Sequence, residues 1–231
     1  MERVRFAPSP TGPLHIGGLR TALFNYLYAR KHNGVFILRV EDTDQNRKVE
    51  GSEGYILESL KWCGIEADES PINEGNFGPY RQSERREIYN EYIQLLLAKG
   101  NAYYAFDTTE ELASARVKSE KETGGFKYNH ANRHTFRNSL SLDNSQVETL
   151  KESGEYVIRL KVDADQKVLT QDLVRGSVGV NTNELEDKIL VKKDGMPTYH
   201  FANVVDDYLM KITTVIRGEE WLPSLPIHQL L

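Results

Sequence analysis

The segment Pro8-Ser9-Pro10-Thr11-Gly12-Pro13-Leu14-His15-Ile16-Gly17-Gly18 decides the fold of this chain. Before it, Arg3-Val4-Arg5-Phe6-Ala7 alternates charged or small residues with apolar ones, which predicts a half-buried strand. After it, Leu19, Ala22, Leu23, Tyr26 and Leu27 recur at helical spacing and predict the inward face of a helix. A glycine pair at a helix start lets polyphosphate approach unpaired backbone N–H groups and the positive end of the helix dipole. His15 stands just before that platform, where charge develops when a phosphoryl bond is attacked. A Gly-Gly pair alone is usually a turn, and a lone histidine is usually structural. Their order here, between strand and helix, points to a nucleotide site.

The next strand is predicted at Val35–Val40, continuous and apolar enough to be central in a parallel sheet, and it runs into Glu41-Asp42-Thr43-Asp44. Strand, helix and strand make a βαβ unit, so the expected fold class is α/β with an open parallel sheet. Ligands of such sheets sit at the carboxyl ends of strands, which would set the Ala7–Gly12 and Glu41–Asp44 turns side by side. Alternation places Arg5, Ala7 and Ser9 on one side of their segment, and Arg39 and Glu41 on one side of theirs.

Further along, Glu50–Trp62 reads as a helix with Tyr55, Ile56, Ser59, Leu60 and Cys63 inward, stopped by Gly64. Residues 66–80 read as a loop, and a helix is predicted from Ser83 to Lys99. Thr108-Thr109-Glu110-Glu111 has capping-box spacing and opens another helix, reaching Glu122. Residues 126–150 are polar and poorly periodic. Short strands are predicted at Glu155–Val162, Val168–Leu173, Ser177–Val180 and Lys188–Lys192. The densely functionalised run Met196–Met210 precedes a β-branched strand, Thr213–Ile216, then Arg217-Gly218-Glu219-Glu220-Trp221 and a closing helix. The change of texture over residues 100–190 is better explained by an inserted domain than by one uniform sheet.

Composition bounds the partners. Net charge is −5, from 29 Lys+Arg against 34 Asp+Glu, which disfavours a protein that coats nucleic acid nonspecifically. A basic face confined to one side remains compatible with that balance. The single cysteine, Cys63, excludes an internal disulfide and fits a reducing cytoplasm. No apolar run approaches the ~20 residues of a membrane span.

The His15–Gly18 signature resembles the HIGH motif of class I aminoacyl-tRNA synthetases in its HIGG form, and Ala7–Gly12 resembles the glutamyl branch. Further segments in the same order are similar to that branch: Glu41–Asp44, Gly78–Ser83, Asp172–Gly176, Asp194–His200 and Val215–Trp221. The resemblance implies a Rossmann-like parallel-sheet catalytic domain with an inserted α+β acceptor-end-binding domain. The expected division is 1–100 and 191–231 for the former and 101–190 for the latter. It implies activation of L-glutamate with ATP and Mg2+, then transfer to the 3′-terminal adenosine of tRNA(Glu), by a cytoplasmic monomer.

Glutamate carries two carboxylates and an ammonium, so its pocket needs cations and an anion. Arg5 and Arg217 suit the carboxylates and Glu41 the ammonium, with the assignment of each arginine left open. A site built on ionised arginine should reject glutamine. Structural ion pairs for the arginines and a turn-capping role for Glu41 are the plain alternatives. By resemblance Ala7, Ser9, Tyr199 and Asn203 complete the pocket. His15, Gly17 and Gly18 are the expected catalytic group. Ser9, Glu220 and Trp221 join them at ATP by resemblance, and Thr43, Asp44 and Arg47 approach the tRNA end.

Two departures from the family are visible. Residues 1–231 hold no KMSKS-type lysine loop, so the expectation is an N-terminal fragment, severely impaired in activation by itself. The zinc cysteines of some relatives are replaced by Asn101–Phe106, so no structural zinc is expected, although His130 and His134 have i, i+4 spacing. The rival readings are an enzyme that attaches glutamate to a modified base of tRNA(Asp) and a non-catalytic tRNA- or nucleotide-binding paralogue.

Overall fold

A computed structural model describes residues 1–231, apart from the side chain of Thr123. In chain order the elements are β1 (Arg3–Phe6), α1 (Ile16–Lys31), β2 (Val35–Leu38), α2 (Ser52–Trp62), α3 (Arg86–Ala98), β3 (Ala102–Ala105) and α4 (Thr109–Thr123). They continue with α5 (Asn144–Glu152), β4 (Val157–Leu160), β5 (Lys167–Asp172), β6 (Gly176–Asn181), β7 (Ile189–Val191), α6 (Tyr199–Leu209) and α7 (Leu225–Leu230). They form two compact units. One comprises Met1–Tyr89 with Ala202–Pro223, the other Asn90–Phe201 with Ser224–Leu231.

In the first unit β1 and β2 pair in parallel, Arg3 opposite Val35 through Phe6 opposite Leu38, with α1 as the crossover. Pairing continues past the strand ends, Arg39 N to Phe6 O at 3.0 Å and Glu41 N to Pro8 O at 3.0 Å. The two turns therefore do lie side by side. Phe6, Phe36 and Leu38 pack with Ala22 and Ala29 of α1 and Ile56 and Leu60 of α2. Fully burying a side chain such as Phe36 contributes about 1.5–3 kcal/mol.

Three expectations change here. β1 is buried along its whole length rather than on one face, because its arginines are internal. Arg3 forks onto Glu69, with Nη1–Oε1 and Nη2–Oε2 both 2.8 Å. In α1 the face toward the sheet is Ala22, Asn25 and Ala29, while Leu23 and Leu27 are exposed. Small residues let the helix approach closely; of the larger periodic ones Leu19 and Tyr26 pack at the margin of the core as expected, and Leu23 and Leu27 point away. In α2, Tyr55 is exposed and Leu57 packs inward instead.

The predicted strand at Thr213–Ile216 is extended chain without a ladder. Thr213 N and Thr214 N both reach Arg3 O, at 2.9 and 3.4 Å. Side chains take the other partners: Thr213 Oγ1 accepts from Arg3 N, and Asn25 Nδ2 donates to Ile216 O at 3.0 Å. At the α1–β2 turn the chain passes so close to the N-terminus that a Cβ on Gly34 would stand 2.3 Å from Glu2 O. Only glycine fits there.

The second unit holds an antiparallel sheet in the order β3-β4-β7 and a separate β5–β6 ribbon. Tyr103, Ala105 and Tyr128 form its aromatic core with Phe126 and Phe136. The capping box at Thr108 and Glu111 opens α4 as predicted. The stretch 126–150 is ordered by asparagines rather than by apolar periodicity. Asn138, fully buried, donates to the Arg133 and Phe136 carbonyls and accepts from Leu140 N. It also contains α5, opened by a second capping box at Asp143 and Gln146. His130 lies in a turn and His134 in a 3-10 turn, so their spacing does not put them on one helix face.

Candidate active site

His15 is the N-cap of α1. Its Nδ1 accepts from Gly17 N at 3.1 Å, folding the ring back over the first helical turn. A Cβ on Gly17 would stand 2.9 Å from that ring, so the glycine makes room for the cap. This changes the expected division of labour. The Gly17 amide is taken by His15, which leaves the Gly18 amide of the pair to meet an anion. Because Nδ1 accepts, the neutral ring carries its proton on Nε2, directed away from the cap as a donor. The first turn contains no acidic residue, which suits an anion at that end.

At the carboxyl ends of β1 and β2 the first unit assembles a buried ionic network. Asp207, on α6, accepts from Arg5 Nε at 2.9 Å and Arg5 Nη2 at 3.1 Å, and from Arg39 Nη1 at 2.7 Å. Asn203, one turn earlier, accepts at Oδ1 from Arg5 Nη2 at 3.2 Å and from Arg39 Nη2 at 3.1 Å. The same Arg39 nitrogen donates to Glu41 Oε1 at 3.1 Å. Arg5, Glu41 and Asn203, expected together, are therefore joined through Arg39 and Asp207, which sequence reading did not single out as site residues.

Behind them Asp206 accepts from Gln82 Nε2 at 2.8 Å, Arg85 Nε at 2.7 Å and Tyr89 Oη at 2.9 Å. Burial and the Asp206 charge push the Tyr89 phenol up, so it stays a donor.

Burial opposes ionisation of Asp207, but the Arg5 and Arg39 guanidinia outweigh it and hold the group at about 2. For Glu41 the balance reverses: burial raises its carboxyl above the usual range despite Arg39 and Arg5. Arg39 is itself held charged, since Asp207, Asp206 and Glu41 overcome its burial. Glu41 is thus an anion short of compensation.

The other expected residues fall as follows. Ala7 is half-buried and Ser9 exposed, in the turn whose Pro8 carbonyl accepts from Glu41 N. Thr43 is half-buried, and Asp44 pairs with the exposed Arg47 at 3.1 Å. The turn carrying them is anchored by Asp42, whose two oxygens accept from Ser83 N and Ser83 Oγ at 2.9 and 2.8 Å. Arg217 is half-buried and follows Ile216, whose carbonyl is tied to α1 by Asn25. Glu220 and Trp221 lie in a 3-10 turn, the Glu220 carboxylate folded against the Gly218 backbone and Trp221 39% exposed. Tyr199 opens α6 within the second unit, its ring 5.4 Å from that of His228. Among the described residues no group of three or more His, Cys, Asp or Glu could hold a metal ion.

A parallel βαβ unit with a histidine-capped helix and a buried ionic network at its strand ends is an α/β protein with its charged groups where such sheets take ligands. The chain belongs to the family of class I tRNA synthetases (E and Q): the model of the family's catalytic domain matches residues 2–231. It is 60% identical over 230 residues to a glutamate–tRNA ligase of Christiangramia forsetii, covering 99% of this chain and 46% of that protein. It is 57% identical, with the same coverage, to a glutamate–tRNA ligase of Flavobacterium psychrophilum. Among solved structures, the glutamate tRNA ligase of Elizabethkingia meningosepticum, crystallised in complex with its amino acid, superposes with a TM-score of 0.96 at 56% identity. That match covers 99% of this chain and 46% of the crystallised one. The chain thus spans about half the length of the curated relatives it matches. Among the described residues no helix is long and apolar enough to cross a membrane.

Proposed function

We propose that this chain carries the amino-acid-activating site of an enzyme that converts L-glutamate and ATP to glutamyl-adenylate and delivers glutamate to the 3′-terminal adenosine of tRNA(Glu). The observation that carries the reading is the Arg5–Arg39–Glu41–Asn203 network. Asn203 Oδ1 and Glu41 Oε1 are both engaged inward, so each residue offers one remaining edge, an amide donor and a carboxylate acceptor. An α-amino acid with a side-chain carboxylate matches that polarity. Arg217, Tyr199, Ala7 and Ser9 are proposed to complete the pocket.

Activation needs no protein nucleophile. The glutamate α-carboxylate attacks the α-phosphorus of ATP, a new P–O bond forms, and the bond to pyrophosphate breaks. Catalysis then rests on alignment and on stabilising charge as it develops. His15 Nε2 and the Gly18 amide are proposed to donate to the phosphates, with Glu220 and Trp221 beside the adenosine. Mg2+ bound with the ATP would supply charge neutralisation at the phosphates. In the second step a hydroxyl of the terminal adenosine attacks the mixed anhydride and AMP leaves. Thr43, Asp44 and Arg47 are proposed to meet that end of the tRNA, and residues 101–190 its acceptor stem. A cytoplasmic monomer without structural zinc completes the proposal.

The test is aminoacylation of native, fully modified tRNA with labelled glutamate by the protein at its natural length. Label at the 3′ adenosine is the expected result. Label on a modified base, or none, would refute the reading.

A further inference from the structure

Arg39 is fully buried where an otherwise apolar strand ends. Its guanidinium touches three carboxylates and an amide: Asp207 at 2.7 Å, Glu41 at 3.1 Å, Asn203 at 3.1 Å and Asp206 at 3.7 Å. Asp207 is as densely engaged, holding Arg39 on one oxygen and the Nε side of Arg5 across both. We propose that Arg39 and Asp207 are positioning residues of the amino-acid pocket: Asp207 orients Arg5, and Arg39 fixes which edges of Asn203 and Glu41 face the substrate. The inference rests on the reading of this site as a glutamate pocket.

The geometry carries it in two ways. An asparagine side chain can present either its oxygen or its NH2 group outward, and the choice decides what it binds. Here two guanidinium nitrogens donate to Oδ1. A flip would set the NH2 group against both donors, so Nδ2 is held toward the open side, where a carboxylate oxygen can accept from it. Losing Arg39 removes one of the two donors and loosens that choice. Arg5 is constrained likewise. Its Nε and Nη2 are occupied by Asp207, so the guanidinium turns its Nη1 edge to the pocket. Both hydrogens of Nη2 are taken, by Asp207 and Asn203, so the Nη1 group is the donor left for a carboxylate, held in one place where a swinging side chain would bind less well.

The test is glutamate- and tRNA-dependent ATP–pyrophosphate exchange in the protein at its natural length, comparing wild type with Asp207→Asn, Asp207→Glu and Arg39→Lys. Asp207→Asn should raise the glutamate KM about tenfold or more, the scale of a lost charge-assisted bond. The kcat at saturating glutamate should stay within about twofold, with the ATP KM unchanged. Its acid limb should also move to lower pH, since the Asp207 charge is one of the influences that raise Glu41. Asp207→Glu, which keeps the charge and both acceptors, should recover most of the wild-type KM. Arg39→Lys, which keeps charge without the fork, should raise the glutamate KM by a similar factor, and it decides the matter if Asp207→Asn does not fold. An unchanged glutamate KM in the folded variants would overturn the proposal, as would kcat and both KM values moving together with no shift of the acid limb. Wild-type protein without any glutamate-dependent exchange would overturn the functional reading itself, and this inference with it.

Discussion

Replacing Asp206 with alanine tests whether the buried charges hold the first unit together. The carboxylate is fully buried and accepts three hydrogen bonds, from Gln82, Arg85 and Tyr89. Its removal leaves Arg85, 1% exposed, and Arg39, fully buried, each short of one anion. Breaking a buried pair by deleting one partner costs about 3–5 kcal/mol, because the remaining charge stays desolvated and unmatched. Against a typical stability of about 5–15 kcal/mol this is a large share. At about 2–4 °C per kcal/mol for a chain of this size, the midpoint should fall by about 6–20 °C. Both tryptophans, Trp62 and Trp221, belong to the first unit, so fluorescence-detected melting reports on the unit concerned. Arg47→Ala serves as the comparison. It deletes a pair of similar length, 3.1 Å to Asp44, whose side chains are 69% and 46% exposed. That change should cost at most about 1 kcal/mol. If the two variants melted within a degree or two of each other, the assignment of stability to this network would be refuted.

Other expectations follow from the same structure. Gly34→Ala drives a Cβ into the Glu2 carbonyl and should cost at least about 1–3 kcal/mol in thermal melting; an unchanged midpoint would show that the α1–β2 turn relaxes freely. His15→Asn keeps a side-chain acceptor for the helix cap but loses the Nε2 donor. It should melt within about 1 kcal/mol of wild type while pyrophosphate exchange drops about 100-fold or more. Glu41→Gln removes a charge that burial disfavours. It should leave the midpoint at neutral pH unchanged or higher while weakening glutamate binding, as read by calorimetry. Asp207 is held below its unfolded value, so the stability it contributes is present above about pH 4 and lost as pH falls toward about 2. Acid titration of Asp207→Asn should lack that part of the transition.

Much of the α/β frame was legible because it is written in periodicity and punctuation. The Val35–Leu38 run, the helical spacing in α1 and the capping box of α4 act locally, and local signals survive in one dimension. Thr213–Ile216 failed as a strand because hydroxyl and amide side chains took its ladder partners, a competition no propensity records. The helix α5 had its sign in Asp143 and Gln146, a capping box lying in a polar stretch without an apolar stripe. In the site, Arg5, Glu41 and Asn203 were legible through motif context. Their organisers were not. Alternation set Arg39 beside Glu41 without a role, and Asp206, Asp207 and Arg85 had none until the fold brings Arg39 against α6. A charged residue closing an apolar strand, and an aspartate pair among Val204, Val205 and Tyr208, were the available hints.

That aspartate pair has a consequence for how the first unit forms. Asp206 and Asp207 are neighbours in sequence, so they leave α6 in directions about 100° apart; both reach Arg39, but Asp207 alone takes Arg5 and Asp206 alone takes Arg85. The arrangement works as a rotational key. Turning the helix about its axis by one residue would bring one aspartate to the other's partners and carry the second away from its cations, in one sense into the buried place of Val205. A helix with only a hydrophobic stripe could settle in several neighbouring rotations at little cost. This one has a single docking angle at which no charge is abandoned, so correct assembly is separated from near misses by whole ion pairs rather than by fractions of a contact.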